Sequence, residues 1–226
     1  MTRLLLLVGL ASLSSACATY ATLQTTRPLG KGVTQVAVEP GVVGAMSGTD
    51  LGGVAPRVDL SIRHGVTEAV DIGARLGLGG LDVFGKFLVM EGDDSLRIAL
   101  VPTAGLLYMG SGSGGGGGGV LNLSLPVLFG VPLGEHELIV GPKLYNTTLF
   151  GGVSEAGGAI NVLMGGATVG FAARLAGGFT LLPEIAVLTP LVGSSTSTSQ
   201  GTESTSLADT GATGVQLSVG LLFGGK

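Results

Sequence analysis

Residues 57–63 read "RVDLSIR". Arg57, Asp59, Ser61 and Arg63 alternate with Val58, Leu60 and Ile62. A period of two is the mark of a β-strand with two unlike faces. Charge is scarce elsewhere: Asp, Glu, Lys and Arg make up 12% of the chain, about half of the ~25% usual in a soluble domain. Three charges on one face of one short strand are hard to explain as ordinary water-facing surface.

The same alternation recurs outward from this stretch, in segments of about 9 to 16 residues. Asp71 and Arg75 oppose Val70, Ile72, Ala74 and Leu76, and Asp82 and Lys86 oppose Leu81, Val83 and Phe87. Further along, Arg97 and Ala99 oppose Leu96, Ile98 and Leu100, and Asn122 and Ser124 oppose Leu121, Leu123 and Leu125. Glu137 and Lys143 oppose Leu138, Val140 and Leu144, Glu184 opposes Leu181 and Ile185, and Gln216 and Ser218 oppose Val215, Leu217 and Val219. Residues 33–45, with Gln35 and Glu39, form a first strand, and a Gly/Ala-rich stretch near 159–174 an eighth. Ten strands result, with eight and twelve as the neighbouring counts.

Composition agrees with an extended architecture. The 226 residues are 45% hydrophobic and include 43 glycines, with a mean hydropathy of +0.61. Yet no apolar run approaches the ~18 residues of a spanning helix. Each helical Gly costs about 1 kcal/mol relative to Ala, so strands and turns suit this chain better. The formal net charge is −4 and there is no basic run, which excludes nucleic acid as a partner.

Alternation alone leaves the wet face undecided. Three features put the charged face inside. That face is otherwise Gly, Ala, Ser and Thr, which suits a crowded interior. Its charges balance: Arg57, Arg63, Arg75, Lys86, Arg97 and Lys143 against Glu39, Asp59, Asp71, Asp82, Glu137 and Glu184. A low-dielectric lumen needs this, because an unpaired buried charge is costly. Long connections (45–54, 109–119, 149–158, 191–211) also largely alternate with short ones (65–69, 91–95, 132–136, 175–178), as external loops and periplasmic turns do. The expected fold is all-β: a closed, antiparallel, up-and-down transmembrane β-barrel of about ten strands. Its lipid-facing side would carry Val58, Leu60 and Ile62, and its lumen a charge network filling the interior. Pro40, Pro102, Pro126, Pro142 and Pro183 fall within strands, where each removes a ladder hydrogen bond; bulges or strand starts are expected there. With no Trp and three Tyr, aromatic girdles are expected to be thin.

The N-terminus, "MTRLLLLVGLASLSSACAT", has a basic residue, an apolar stretch and then small residues, the form of a secretory signal. "LSSAC" resembles a bacterial lipoprotein cleavage box, with Ser14 where Leu is common and Cys17, the single cysteine, at the acylated position. The resemblance implies a signal peptide at 1–16, diacylglycerol on Cys17, and handling by lipoprotein-sorting and barrel-assembly machinery. Residues 17–31 read as a polar tether, and 32–226 as one barrel domain. Phrases such as "HGVTEAVDIGARLGL", "LPVLFGVPLGEHELIVGPKL" and "LLPEIAVL" resemble small outer-membrane β-barrel lipoproteins of myxobacterial type. That likeness implies a Gram-negative outer membrane and no particular activity.

Other motifs carry little. "GSGSGGGGGG" at 110–119 contains a formal GxGxxG, but no helix pattern follows, so it reads as an external loop. "SSTSTSQGTESTS" from Ser194 reads as disordered. Two histidines, His64 and His136, and no spare Cys make a transition-metal site improbable. Ser61 and His64 lie three apart on a strand and point to opposite faces, so they form no catalytic pair. The expected function is non-catalytic, structural or surface-interacting, without cofactor and with membrane lipid as the contact. The alternatives are a narrow channel for polar solutes and a lipid-tethered soluble barrel, faces inverted, that binds an apolar ligand.

Overall fold

A computed structural model describes residues 19–47, 50–92, 96–110, 117–151, 158–197, 201–206 and 212–225. Cys17 and most of the Gly-rich stretch at 110–119 lie outside them.

The strands are β1 (Thr34–Ser47), β2 (Asp50–Gly65), β3 (Val70–Gly77), β4 (Gly80–Glu91), β5 (Arg97–Leu100), β6 (Thr103–Met109), β7 (Gly118–Leu133), β8 (His136–Gly151), β9 (Gly158–Leu175), β10 (Phe179–Ser197), β11 (Gly201–Ser206) and β12 (Ala212–Gly224). All pairings are antiparallel, and β12 returns to pair with β1, from Gln35 opposite Gly224 to Ser47 opposite Ala212. β5 and β6 form one stave between β4 and β7. β11 and β12 both pair with β10 and form another. The result is a closed barrel of ten staves, in which no stave is left as a free edge.

The two faces are inverted relative to a water-soluble barrel. On β2, Arg57, Asp59, Ser61 and Arg63 are buried, while Val58, Leu60 and Ile62 are each more than half exposed. Leu76, Leu81, Val83, Leu123, Leu144, Val169, Ile185 and Leu217 continue the exposed apolar wall around the barrel. This overturns the soluble-barrel alternative, which needs the apolar face inside.

Several details depart from expectation. Prolines cause little disturbance: the pairing register is the same on both sides of Pro40, Pro126, Pro142 and Pro183. Each lost N–H is absorbed within an otherwise continuous ladder. Pro102 alone among the five interrupts a strand, between β5 and β6. A bulge does occur at Pro190–Val192. Strands also run further than expected. Ser47 pairs with Asp50, so most of 45–54 is strand. The Ser/Thr stretch expected to be disordered instead forms a hairpin, with Ser197 opposite Gly201 and Val192 opposite Ser206. Alternating β-branched Thr and small Ser suit a strand when a neighbour is available. The wall is therefore uneven: β3 has 8 residues and β10 has 19.

Exposed aromatic residues are few and unevenly shared, with Tyr108 and Phe150 at the long-loop end. Phe87, Phe129, Phe171, Phe179 and Phe223 all project outward near the short-turn end, where Phe179 and Phe223 stack at 5.1 Å. Tyr20 and Tyr145 are buried inside.

Candidate functional site: a filled lumen

The charged face of β1–β4 forms three adjoining groups of ion pairs. Arg57 donates from Nε and Nη2 to Asp59, two residues along the same strand, the closest approach being 2.7 Å. Across the β1–β2 ladder, Arg63 reaches Glu39 at 2.8 Å and Ser61 donates to the same carboxylate at 2.6 Å. Arg75 of β3 approaches the other Glu39 oxygen at 2.8 Å and lies 3.9 Å from Asp82. Asp71 and Lys86, opposite each other on β3 and β4, pair at 2.7 Å. Eight of the twelve charges named from the sequence thus pair with one another, with Glu39 as a hub.

Arg97 does not join them. It sits at the turn-end rim and pairs at 3.0 Å with Glu91, whose side chain is 56% exposed. It was expected in the enclosed network because it falls on the same face, but alternation carries no information on height along the barrel.

Lys143, Glu137 and Glu184 are buried as expected, but each meets main chain or a hydroxyl of the N-terminal segment. Residues 19–29, expected as part of a tether outside the barrel, run through the lumen. Tyr20, Ala21, Leu23, Gln24 and Thr26 are each at most 2% exposed. This segment has no strand partner, so its buried main-chain groups depend on side chains of the wall. Gln216 Oε1 accepts from the amides of Tyr20 and Ala21, at 2.6 and 3.1 Å. Glu184 accepts from the adjacent amides of Thr22 and Leu23, at 2.6 and 2.7 Å. Asp71 accepts from Leu29 at 3.1 Å. The carbonyls are met as well: Lys143 donates to that of Tyr20, Arg75 to that of Thr22, and Lys86 to that of Arg27, at 2.7, 2.8 and 2.7 Å. Arg57 donates to the Thr19 hydroxyl, and Thr26 donates to Glu137.

Leu23 has φ +48, the one non-glycine residue with positive φ among those described. The turn there aims two successive amides at the Glu184 carboxylate, the arrangement that makes a backbone concavity for an anion. The wall leaves room for the segment. A Cβ on Gly214 would strike the Tyr20 ring, and one on Gly130 would strike Thr26.

Apolar side chains complete the filling. Leu23 lies in a cluster with Phe84, Leu128, Ile139, Leu182 and Leu222. Tyr20 lies in a second with Val43, Tyr145, Met164 and Leu188, its ring edge-on to Tyr145 at 5.6 Å. The sequence reading assigns none of these leucines to the lumen, because they occupy inward positions of strands that are apolar on both sides there. The cavity left beside the segment, between Arg75, Asp82, Asn122 and Lys143, amounts to about 20 Å³, room for roughly one water. A larger concavity, lined by Ile62, Ile72, Val83, Leu123 and Leu144, opens on the apolar outer wall.

The histidines are structural turn-end residues. His64 shares a hydrogen bond of 2.9 Å with Thr34, and His136 accepts from the Arg174 amide at 3.2 Å. Ser61 points inward to Glu39 while His64 is exposed. No group of three or more His, Cys, Asp or Glu able to hold a metal ion occurs among the described residues.

No family model matches the chain, and no curated protein matches it. Among solved structures it is similar to the outer membrane protease OmpT of Escherichia coli, at 9% identity over 85% of this chain and 96% of that one, with a TM-score of 0.42. Neisserial surface protein A matches at 10% identity over 84% and 96%, TM-score 0.41. The translocator domain of the autotransporter NalP from Neisseria meningitidis matches at 14% over 86% and 88%, TM-score 0.45. No side-chain role passes from those proteins to this chain.

Proposed function

We propose that this chain is an outer-membrane β-barrel lipoprotein of a Gram-negative bacterium, held by its apolar wall and by acyl chains on Cys17. Its role is structural or surface-interacting, its lumen closed to solutes, and it performs no catalysis. The observation that carries this reading is the pairing of an apolar exposed wall with a lumen filled by ion pairs and by residues 19–29. An apolar surface of this extent has no stable place in water, and a closed barrel satisfies every stave in lipid. The filled lumen favours a closed barrel over a narrow channel, since the cavity beside the segment holds about one water. The buried acids and bases engage one another and the main chain, which supports a non-catalytic role. Biogenesis would require barrel-assembly and lipoprotein-sorting machinery; the surface partner is unassigned.

Three measurements test the reading. Membrane fractionation with heat-modifiable gel migration is expected to place the folded protein in the outer membrane; recovery as a soluble monomer in plain buffer rejects it. In a planar bilayer the purified protein is expected to be silent, and steady open currents reject the closed lumen. For the anchor, mass spectrometry of the N-terminal peptide should find acylated Cys17; an unmodified thiol removes the lipoprotein assignment alone.

A further inference from the structure

Residues 19–29 cross the lumen in one direction. Their downstream end lies at the short turns: Leu29 donates to Asp71, near the start of β3, and the Gly32 amide donates to the Gly65 carbonyl at the end of β2. Thr22 and Leu23 meet Glu184, further up the wall on β10. Tyr20 is higher still, packed among Val43, Tyr145 and Leu188, and Thr19 accepts from Arg57 of β2. At the usual strand rise and tilt, the stretch of β2 holding Arg57 and Asp59 stands about 15–20 Å from the turn end. Cys17 precedes Thr19 by two residues, a reach of at most about 7 Å. That reach does not return Cys17 to the turn end, and the lumen below Thr19 is filled.

The wall is lowest beside Thr19. The β2–β3 ladder ends with Leu60 opposite Leu76, and the β4–β6 ladder with Leu81 opposite Leu106, while β1 and β2 stay paired up to Ser47 and Asp50. With 8 residues, β3 climbs about 20 Å, less than the ~25 Å apolar band of a membrane barrel. The tip of the β3–β4 hairpin is therefore level with acyl chains. Its composition agrees. "GLGGL" at 77–81 has no polar side chain, whereas the connections at 110–117, 152–157 and 207–211 are rich in Gly or carry Ser, Thr, Asp or Glu. Leu76, Leu78 and Leu81 are each more than half exposed, as is Val58 on the adjoining β2. The tip also adjoins the point where Thr19 is held: a Cβ on Gly77 would strike Asp59, the ion partner of Arg57.

We propose that the β3–β4 hairpin is a low apolar sill over which the N-terminal chain leaves the lumen, and that acyl chains on Cys17 lie against it, in the leaflet at the long-loop end. This rests on the acylation of Cys17 proposed above and adds the leaflet, which is the external one when the long loops face outward. The occupant of the sill is this chain's own terminus, fixed by the short reach from Thr19. A lipid anchor of the opposite kind, in the leaflet at the turn end, would need the segment to run through the lumen the other way.

The test uses the full acylated protein, made in cells fed a fatty acid that carries a diazirine near its end. Ultraviolet light joins the acyl chains to what they touch. Mass spectrometry then finds cross-linked peptide pairs that contain the Cys17 peptide, which separates the anchor from bulk lipid. Cross-links to Val58, Leu76, Leu78 and Leu81 are expected. Cross-links to Leu133, Leu175 and Phe179, at the turn end, would overturn the sill while leaving the lipoprotein standing, and so would acyl chains that mark no residue of the barrel. An unmodified Cys17 removes the lipoprotein assignment and the sill with it. The depth of the hairpin has its own readout. The chain has no Trp, so Leu78→Trp supplies a single reporter. In vesicles of lipid brominated along its acyl chains, that reporter is expected to lose most of its emission, as Leu60→Trp does in the middle of the wall. A reporter at position 78 that is untouched by bromine and quenched by aqueous iodide puts the tip in water and overturns the sill.

Discussion

The two halves of the wall use their buried charges differently. On β1–β4, Glu39, Asp59, Asp71 and Asp82 each face a cationic side chain of the same half. On β8–β10, Glu137, Lys143 and Glu184 face the threaded segment. The first half can neutralise itself when the barrel closes. The second half directs its hydrogen bonds at residues 19–29, so the segment and this part of the wall complete each other. Burying a charge is tolerable when a partner and hydrogen bonds replace water, and this molecule supplies the partner in two ways.

Removing the hub of the self-paired half should cost most. Glu39→Gln leaves Arg63 and Arg75 short of a counter-charge and is expected to lose about 3–5 kcal/mol, as when one member of a buried pair is deleted. Urea unfolding in detergent, followed by the heat-modifiable band, measures it; a loss comparable to a surface mutation would mean that water reaches the network. Next comes the outer wall. Leu60→Arg and Leu217→Arg are expected to cost about 2–4 kcal/mol in a bilayer, since both put a cation on the lipid face. Equal stability of these variants in lipid would contradict the inverted faces. Glu184→Gln sharpens the contrast with Glu39. It keeps an acceptor for one amide but loses the charge, so about 1–3 kcal/mol is expected, together with faster proteolysis near residues 19–29. If it costs as much as Glu39→Gln and leaves the segment protected, the two halves are not different in kind. Arg97→Ala, at the rim against half-exposed Glu91, should change stability by about 0–1 kcal/mol.

The outline of the barrel was legible in the sequence because period two survives even where composition is dull. "RVDLSIR" settles the face of β2, and the same phase holds to Glu184 and Gln216. Ion partners were legible in kind but not in pairing: the register sets Arg63 opposite Gln35 and Glu39 opposite Asp59, and Arg63 meets Glu39 only because its long side chain reaches along the wall. Residues 19–29 were misread because they lack any period, and short polar stretches look alike whether they lie in water or in a lined tunnel. A signal was nonetheless present in the wall. In register, Lys143 lies beside Pro126 and Gly166, Glu184 beside Gly170 and Ser218, and Glu137 beside Pro132 and Ala172. These three enclosed charges have no ionic neighbour on either side and meet the threaded segment instead. The pairing of 192–197 with 201–206 was misread for another reason: low complexity suggested disorder, while a long neighbouring strand offered a ladder.

Amide hydrogen exchange of the folded protein in micelles tests the filled lumen most directly. The amides of Thr22, Leu23 and Leu29 are expected to exchange as slowly as those of Asp59 and Ser61 in the adjoining wall. Exchange at the rate of an unstructured peptide would contradict the account, leaving an apolar-walled barrel whose interior is open to water.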